Sequence, residues 1–241
     1  MLDYILSHSE PEPEYLHRLW RATHLQTLHG HMTSGHLQGR LLKMLVTMIR
    51  PQRVLEVGTF SGYSALCIAE GLEIVAREQA AMGARNEKNA EKPSDATEKP
   101  SDAAEKFHLW TFEINDEMEV FTRKWFENSP YSDRITFLIG DAIVEAPKLN
   151  IDFDMAFIDG DKRTYVETYE AVLPLLRTGG FLLADNTLWD GHVTDSAYDR
   201  DHQTQGIRRF NDHVAADPRT EQIILPIRDG LTLIRKKSGE N

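Results

Sequence analysis

The stretch from Phe153 to Tyr165, F-D-M-A-F-I-D-G-D-K-R-T-Y, restricts the fold more than any other part of the chain. A short apolar run (Met155, Ala156, Phe157, Ile158) stops abruptly at Asp159, Asp161 and Lys162. An apolar run of strand length that ends on charge is the pattern of a buried parallel strand emerging at its carboxyl end. In open α/β sheets, ligands bind at that end. The pattern recurs where Gly180-Phe-Leu-Leu-Ala runs into Asp185 and Asn186. Two strands delivering hard oxygen donors to one sheet edge suggest a site for a hard metal ion. Asp159 and Asp185 could also be solvated strand ends, but the neighbouring Asn186 favours the metal.

The surrounding chain supplies the rest of such a sheet. Arg53-Val-Leu-Glu-Val-Gly-Thr-Phe-Ser-Gly-Tyr-Ser reads as a strand, a glycine turn and a helix start. Gly58 and Gly62 allow a tight turn and close approach to a ligand. The spacing G-x-x-x-G is not the fingerprint of pyrophosphate-binding folds. Glu56 would repel a pyrophosphate and suits a ligand bearing a cationic amino acid. A second strand, Phe107 to Glu113, ends on an acid placed to accept hydrogen bonds from ribose hydroxyls. Arg134 to Ile139 is a third strand, followed by Gly140-Asp141-Ala142. The stretch from Phe153 is the fourth strand, and helices are predicted over 116–126, after that strand through Val172, and over 205–214. Asp229-Gly230 between two apolar runs reads as a two-residue hairpin turn. Alternating strands and helices closed by a hairpin predict a doubly wound, mostly parallel α/β sheet of seven strands.

Residues 1–50 read as N-terminal helices, one over 14–31 and one from Arg40, stopped before Pro51. Six of the ten histidines fall here (His8, His17, His24, His29, His31, His36), and they read as a polar face rather than a metal cluster. Between Glu56 and Glu113 lies far more chain than the roughly 20 residues expected from such a fingerprint to its acid. Residues 76–106 account for the excess, and E-K-P-S-D-A-T at 91 recurs as E-K-P-S-D-A-A at 98. Poor in apolar residues and carrying Pro93 and Pro100, this segment reads as a disordered or loosely helical insertion in one domain, 1–241.

With 241 residues, 41% of them hydrophobic, the chain has enough for one sizeable core. Its formal charge of −11 argues against a nucleic-acid partner held by a broad basic surface. The one cysteine, Cys67, excludes an internal disulfide framework and reads as a small buried hydrophobe in a cytoplasmic protein. No membrane span or basic leader is apparent.

Five ordered motifs, V-L-E-V-G-T-F-S-G-Y-S, F-E-I-N, G-D-A, F-I-D-G-D-K-R-T-Y and A-D-N-T-L-W-D-G, resemble those of the cation-dependent class I S-adenosylmethionine O-methyltransferases. That family includes catechol and caffeoyl-coenzyme A O-methyltransferases and bacterial relatives. The resemblance, from about Met32 to Lys236, implies cofactor contacts from Ser34, Glu56, Gly58, Thr59, Ser64, Glu113 and Ala142. Glu113 would hold the ribose, and Asp141 with Ala142 would lie by the adenine. Asp159, Asp185 and Asn186 would bind a divalent cation, Mg²⁺ foremost, with Ca²⁺ or Mn²⁺ as alternatives. Asp159 would also lie near the methionine moiety, and Lys162 falls at the family's catalytic lysine. Glu113 stands where many members have Asp, and Gly160 where Ala is common. A homodimer is the family's expectation.

The implied activity is methyl transfer to a hydroxyl of a catechol-like or phenolic small molecule. The alternatives are a tRNA hydroxyuridine O-methyltransferase, disfavoured by charge, and a noncatalytic cofactor-binding module, disfavoured by intact Asp159, Lys162, Asp185 and Asn186. A nicotinamide oxidoreductase lacks the required glycine spacing. Lys162 alone would read as a surface residue, and the motif reverses that. Asp161 reads as solvated, and Tyr165 and Tyr169 as core or interface. Trp189 either lines a substrate pocket or packs.

Overall fold

The run from Phe153 to Ile158 is a strand, flanked on both sides, with Phe153, Met155, Ala156, Phe157 and Ile158 all fully buried. The protein is described by a computed structural model over residues 1–89 and 106–239. Its strands are β1 (Arg53–Val57), β2 (His108–Glu113), β3 (Ile135–Ile139), β4 (Phe153–Ile158), β5 (Leu176–Asp185), β6 (Thr220–Leu225) and β7 (Leu231–Lys236). Its α-helices are α1 (Leu2–Ser7), α2 (Glu14–Gln26), α3 (Gly35–Ile49), α4 (Tyr63–Asn89), α5 (Glu119–Glu127), α6 (Ala142–Glu145), α7 (Tyr165–Val172) and α8 (His202–Ala216). The strands form one seven-stranded sheet in the order β3-β2-β1-β4-β5-β7-β6, as the predicted doubly wound class requires. β1, β4 and β5 run parallel, and β7 lies antiparallel to β5 and β6.

The contacts divide the chain into two compact units. The first comprises Met1–Arg53, Ser61–Leu109 and Lys124–Thr136, and the second Val54–Phe60, Trp110–Arg123 and Phe137–Asn241.

In the first unit, α3 begins at Gly35, five residues before the predicted Arg40, and its Gly39 serves helix packing. A Cβ on Gly39 would sit 2.7 Å from Cys67 Sγ and 2.8 Å from a Tyr63 ring carbon, so only glycine lets α3 lie this close to α4. Arg40, 6% exposed, donates to both oxygens of Glu70 at 3.0 and 2.7 Å, which satisfies a charge that burial would otherwise penalise. The helix ends on Arg50 in the left-handed region before Pro51, as predicted. α2 stops at Gln26, short of the predicted end at residue 31, and the apolar Leu25 and Leu28 at that end are exposed. Of the segment predicted as an insertion, residues 76–89 continue α4, and Arg50 pairs with Glu78. The repeat from Glu91 lies outside the described residues.

Cys67 is fully buried, and burial pushes its thiol up to about 12. Without thiolate it is a poor nucleophile. An aromatic disulfide reagent is expected to leave the native protein unlabelled and to titrate one thiol per chain in denaturant. Rapid labelling of the native protein would contradict this packing.

In the second unit, the core gathers Trp110, Phe153, Tyr165, Tyr169, Phe210 and Ile234. Trp110 meets Phe153 edge-on with centroids 5.7 Å apart, and Tyr165 meets Phe210 at 5.2 Å. α8 exceeds its predicted span at both ends, and the side chain of Asp201 caps it by accepting from the Thr204 N–H at 2.7 Å. Gly206 lies so close to the chain at 162–163 that an added Cβ would be 2.2 Å from the Lys162 carbonyl oxygen. The predicted two-residue turn at Asp229-Gly230 is a five-residue connection, since Leu225 pairs with Leu231. Pro226 has no N–H to extend the ladder, which ends β6 before the turn signal is reached.

No helix among the described residues is long and apolar enough to cross a membrane.

Candidate active site

Register sets the site. Val57 pairs with Ile158, and Ile158 with Ala184, so these three residues form a row across β1, β4 and β5. The next residues along each strand, Gly58, Asp159 and Asp185, therefore stand side by side at the carboxyl edge of the sheet. Contact there is close: a Cβ on Gly58 would be 2.5 Å from the Asp159 carbonyl oxygen, and Gly58 has φ +101°. A larger residue is excluded by space and by backbone conformation. The Asp159 N–H donates to the Val57 carbonyl at 2.8 Å, which continues the ladder one step past β4.

Lys162 reaches back to this edge from a 3₁₀ turn at Lys162–Thr164. Its Nζ donates to Asp159 Oδ1 at 2.6 Å and to Tyr165 Oη at 2.8 Å, with the whole residue 7% exposed. Tyr165 Oη in turn donates to the Asp185 carbonyl at 2.9 Å, so one hydroxyl ties Lys162 to the end of β5. Burial, and then the nearby Asp159, Asp185 and Asp229, hold the Tyr165 hydroxyl well above its ordinary pKa, so it remains a donor. Tyr165, expected in the core or an interface, is buried and also touches Lys162. Tyr169 is purely interior, with its hydroxyl on Asp217. Asp161, read as solvated, caps the turn and pairs with Arg163, whose side chain holds its carboxyl below the usual range.

At the end of β5, Asn186 adopts φ 56° and its Nδ2 donates to Asp229 Oδ2 at 3.1 Å. The other Asp229 oxygen accepts the Asp190 N–H. Burial raises the pKa of Asp229. The D-G pair marks Asp229 only as a turn residue in the sequence, yet its side chain is directed at the end of β5. Trp189 packs against the core, the second of its two predicted roles.

On the other flank, Glu113 is 8% exposed, and its two oxygens accept the N–H groups of Phe60 at 2.6 Å and Asn115 at 2.8 Å. Gly58 and Thr59 N–H groups donate to the Phe112 carbonyl, which locks the turn after β1 against the end of β2. Glu56 is fully buried and accepts from Thr111 Oγ1 at 2.5 Å. Thr111 has one hydroxyl proton and gives it to Glu56, so Thr59 is the donor in the 2.6 Å contact between the two threonines. Thr111 is a partner that no sequence motif marked. Asp141 caps α6 by accepting from the Ile143 N–H, and Ala142 is buried beside it. Ser34 and Ser64 belong to the first unit: Ser34 precedes α3, Ser64 lies in the first turn of α4, and both are buried.

Two other clusters lie apart from these residues. Glu170, His213 and Asp217 form the group of acids and histidine among the described residues that could hold a metal, but Arg219 already pairs with both acids. An open hollow of about 740 Å³, lined by Arg163, His202, Gln205, Arg208, Arg209 and Asp212, contains none of the predicted site residues. Its three arginines are committed, Arg163 to Asp161, Arg209 to the Arg163 carbonyl, and Arg208 to Asp199 and three main-chain carbonyls.

The sequence over residues 6–91 and 96–237 matches the profile of a family described as O-methyltransferase. The chain belongs to this O-methyltransferase family. A caffeoyl-CoA O-methyltransferase of Mesembryanthemum crystallinum is 30% identical, over 99% of this chain and 86% of that protein. The O-methyltransferase ankF of Aspergillus thermomutatus is 28% identical, over 98% of this chain and 92% of its own length. Among solved structures, the S-adenosylhomocysteine-bound methyltransferase PaMTH1 of Podospora anserina superposes with a TM-score of 0.78 at 24% identity, covering 98% of this chain and 94% of that one. The chain is thus an S-adenosylmethionine-dependent O-methyltransferase, and the sheet edge at Gly58, Asp159 and Asp185 is the methyltransferase's candidate active site.

The residues at this edge fit a hard divalent cation. Asp159 and Asp185 are brought together by register, and Asp229 fixes the amino end of the Asn186 amide, which leaves its carbonyl end for another partner. Three oxygen donors without sulfur or imidazole suit Mg²⁺, Ca²⁺ or Mn²⁺.

Proposed function

We propose that this methyltransferase transfers the methyl group of S-adenosylmethionine to a hydroxyl of a catechol-like or phenolic small molecule, with a divalent cation held by Asp159, Asp185 and Asn186. The observation that carries the proposal is the register of β1, β4 and β5, which puts Gly58, Asp159 and Asp185 on one edge with Lys162 bonded to Asp159. The named catalytic relative supports the substrate class, since it acts on a caffeoyl thioester by its description.

When bound, the cation would favour the ionised form of a vicinal hydroxyl and orient it. The residues do the rest. Glu113 keeps lone pairs beyond those used by Phe60 and Asn115, and these would accept the ribose hydroxyls of the methyl donor. Gly58 and Thr59 shape the turn that passes the donor, and Asp141 with Ala142 would border its adenine; Ser34, Glu56 and Ser64 complete the proposed cofactor set. Lys162 acts on the substrate proton. As an ammonium it spends two hydrogens on Asp159 and Tyr165, and the third is left to stabilise a developing phenolate. As an amine it accepts the proton. Positioning then accounts for the remaining rate, because reacting atoms held in line need no further search.

The test is a labelled-methyl assay with catechols, caffeoyl thioesters and undermodified tRNA offered separately. Label is expected in a small-molecule hydroxyl; label appearing in tRNA alone would overturn the proposed substrate class.

A further inference from the structure

We infer that Asp229 is a positioning residue for the cation site, whose carboxylate selects which end of the Asn186 amide faces the ion. The inference rests on the proposed cation reading of Asp159, Asp185 and Asn186. An asparagine side chain presents a donor at one end and an acceptor at the other, and only the acceptor can bind a cation. A carboxylate accepts and never donates when ionised, so Asp229 Oδ2, 3.1 Å from Asn186 Nδ2, admits only the amino end. The carbonyl end is thereby committed away from Asp229.

The same corner supports the backbone that carries Asn186. Asn186, Trp189 and Asp190 all have positive φ, a conformation costly for residues with side chains. Six contacts hold the 187–190 loop. Asp229 Oδ1 accepts the Asp190 N–H, and the Asp229 carbonyl accepts the N–H groups of Leu188 at 2.9 Å and Trp189 at 3.3 Å. The Gly230 carbonyl accepts the Thr187 N–H at 3.1 Å. Thr187 is further held by Thr232 Oγ1 and by Asn211 Nδ2, each at 2.8 Å. Gly230 permits the approach, since an added Cβ would lie 2.6 Å from Leu188. The loop is therefore fixed by main-chain contacts that most substitutions at 229 would keep. What the Asp229 carboxylate alone supplies is acceptance at both oxygens. An asparagine at 229 has one acceptor oxygen for two donors, so its amino group must face either the Asp190 N–H or the Asn186 amide. Turning toward Asn186 would reverse that amide and present its amino end to the ion.

The test measures Mn²⁺ binding through loss of the free-ion electron paramagnetic resonance signal, with thermal unfolding followed in parallel. Wild type is expected to bind, and Asp159→Ala to lose binding. Asp229→Asn is expected to weaken Mn²⁺ about 10- to 100-fold, the usual effect of removing an outer partner of a metal ligand. The transposed pair, Asn186→Asp with Asp229→Asn, restores a carboxylate ligand, an amide that donates to it and an oxygen for the Asp190 N–H. It is expected to regain most of the lost affinity. If wild type fails to bind Mn²⁺, or Asp159→Ala binds as wild type does, the cation reading itself fails and takes this inference with it. If those two behave as expected while Asp229→Asn binds normally, only the role of Asp229 is overturned. A transposed pair that folds but binds no better than Asp229→Asn also overturns it, since Asp229 would then be serving the loop alone.

Discussion

Treatment with EDTA is expected to abolish methyl transfer to a catechol, and Mg²⁺ is expected to restore it. A cation beside a developing oxyanion contributes several kcal/mol, and about 4 kcal/mol corresponds to a rate loss of roughly 10³-fold. The donor set sets the order of replacement. Asp159, Asp185 and Asn186 offer oxygen only, so Mn²⁺ and Ca²⁺ are expected to substitute for Mg²⁺ to different extents, with no special preference for zinc. The acids also explain why removal should hurt so much. Asp159, Asp185 and Asp229 all bear on the Tyr165 hydroxyl, and Lys162 is the one cation bonded to Asp159 among the described contacts. Without a divalent ion, a phenolate brought to this edge meets more negative than positive charge. Initial rates measured with and without chelator decide the point, and an unchanged rate in EDTA would remove the cation from the reaction.

The parts of this arrangement that were legible in the sequence were those written as strand ends. β4 announced itself by an apolar run stopping at Asp159, and β5 by the same pattern stopping at Asp185; parallel pairing then made the two neighbours. Their adjacency is a consequence of register, which runs unbroken from Met155 opposite Phe181 to Ile158 opposite Ala184. The helices were less legible where glycine had a second use. Gly35 and Gly39 precede the predicted helix start at Arg40, yet they lie in α3, where Gly39 makes room for Cys67 and Tyr63. Charge hid another helix: residues 76–89 have too few apolar side chains to mark a core face, but they extend a helix already begun by a well-buried first half. Asp229 was the most misleading residue, because Asp-Gly is so common in turns that its side chain drew no attention. Nothing in a single sequence shows that a carboxylate from the last hairpin will meet an amide from the end of β5.

Replacing Lys162 by alanine should leave a folded protein that binds S-adenosylmethionine and hardly turns over. The lysine's two hydrogen bonds, to Asp159 and Tyr165, hold Nζ on this edge as a positive donor facing the acids. Its backbone is fixed separately, by Asp161 capping the turn and by Gly206 of α8 packing against the 162–163 chain. Truncating the side chain should therefore remove the ammonium without moving the turn. A positioned proton-transfer group contributes typically about 10²- to 10⁴-fold, and kcat is expected to fall by that amount. Affinity for the methyl donor, measured by calorimetry, should change little, because Glu113 is held by Phe60 and Asn115 rather than by the lysine. Arginine is expected to fail as well. Its planar, permanently charged guanidinium cannot give up a proton, and it is wider than the ammonium fitted between a carboxylate and a buried phenol. Lys162→Met, which keeps length but no charge, separates packing from chemistry: it should match alanine in turnover and exceed it in thermal stability. Unchanged turnover in either the alanine or the methionine variant would take Lys162 out of the mechanism.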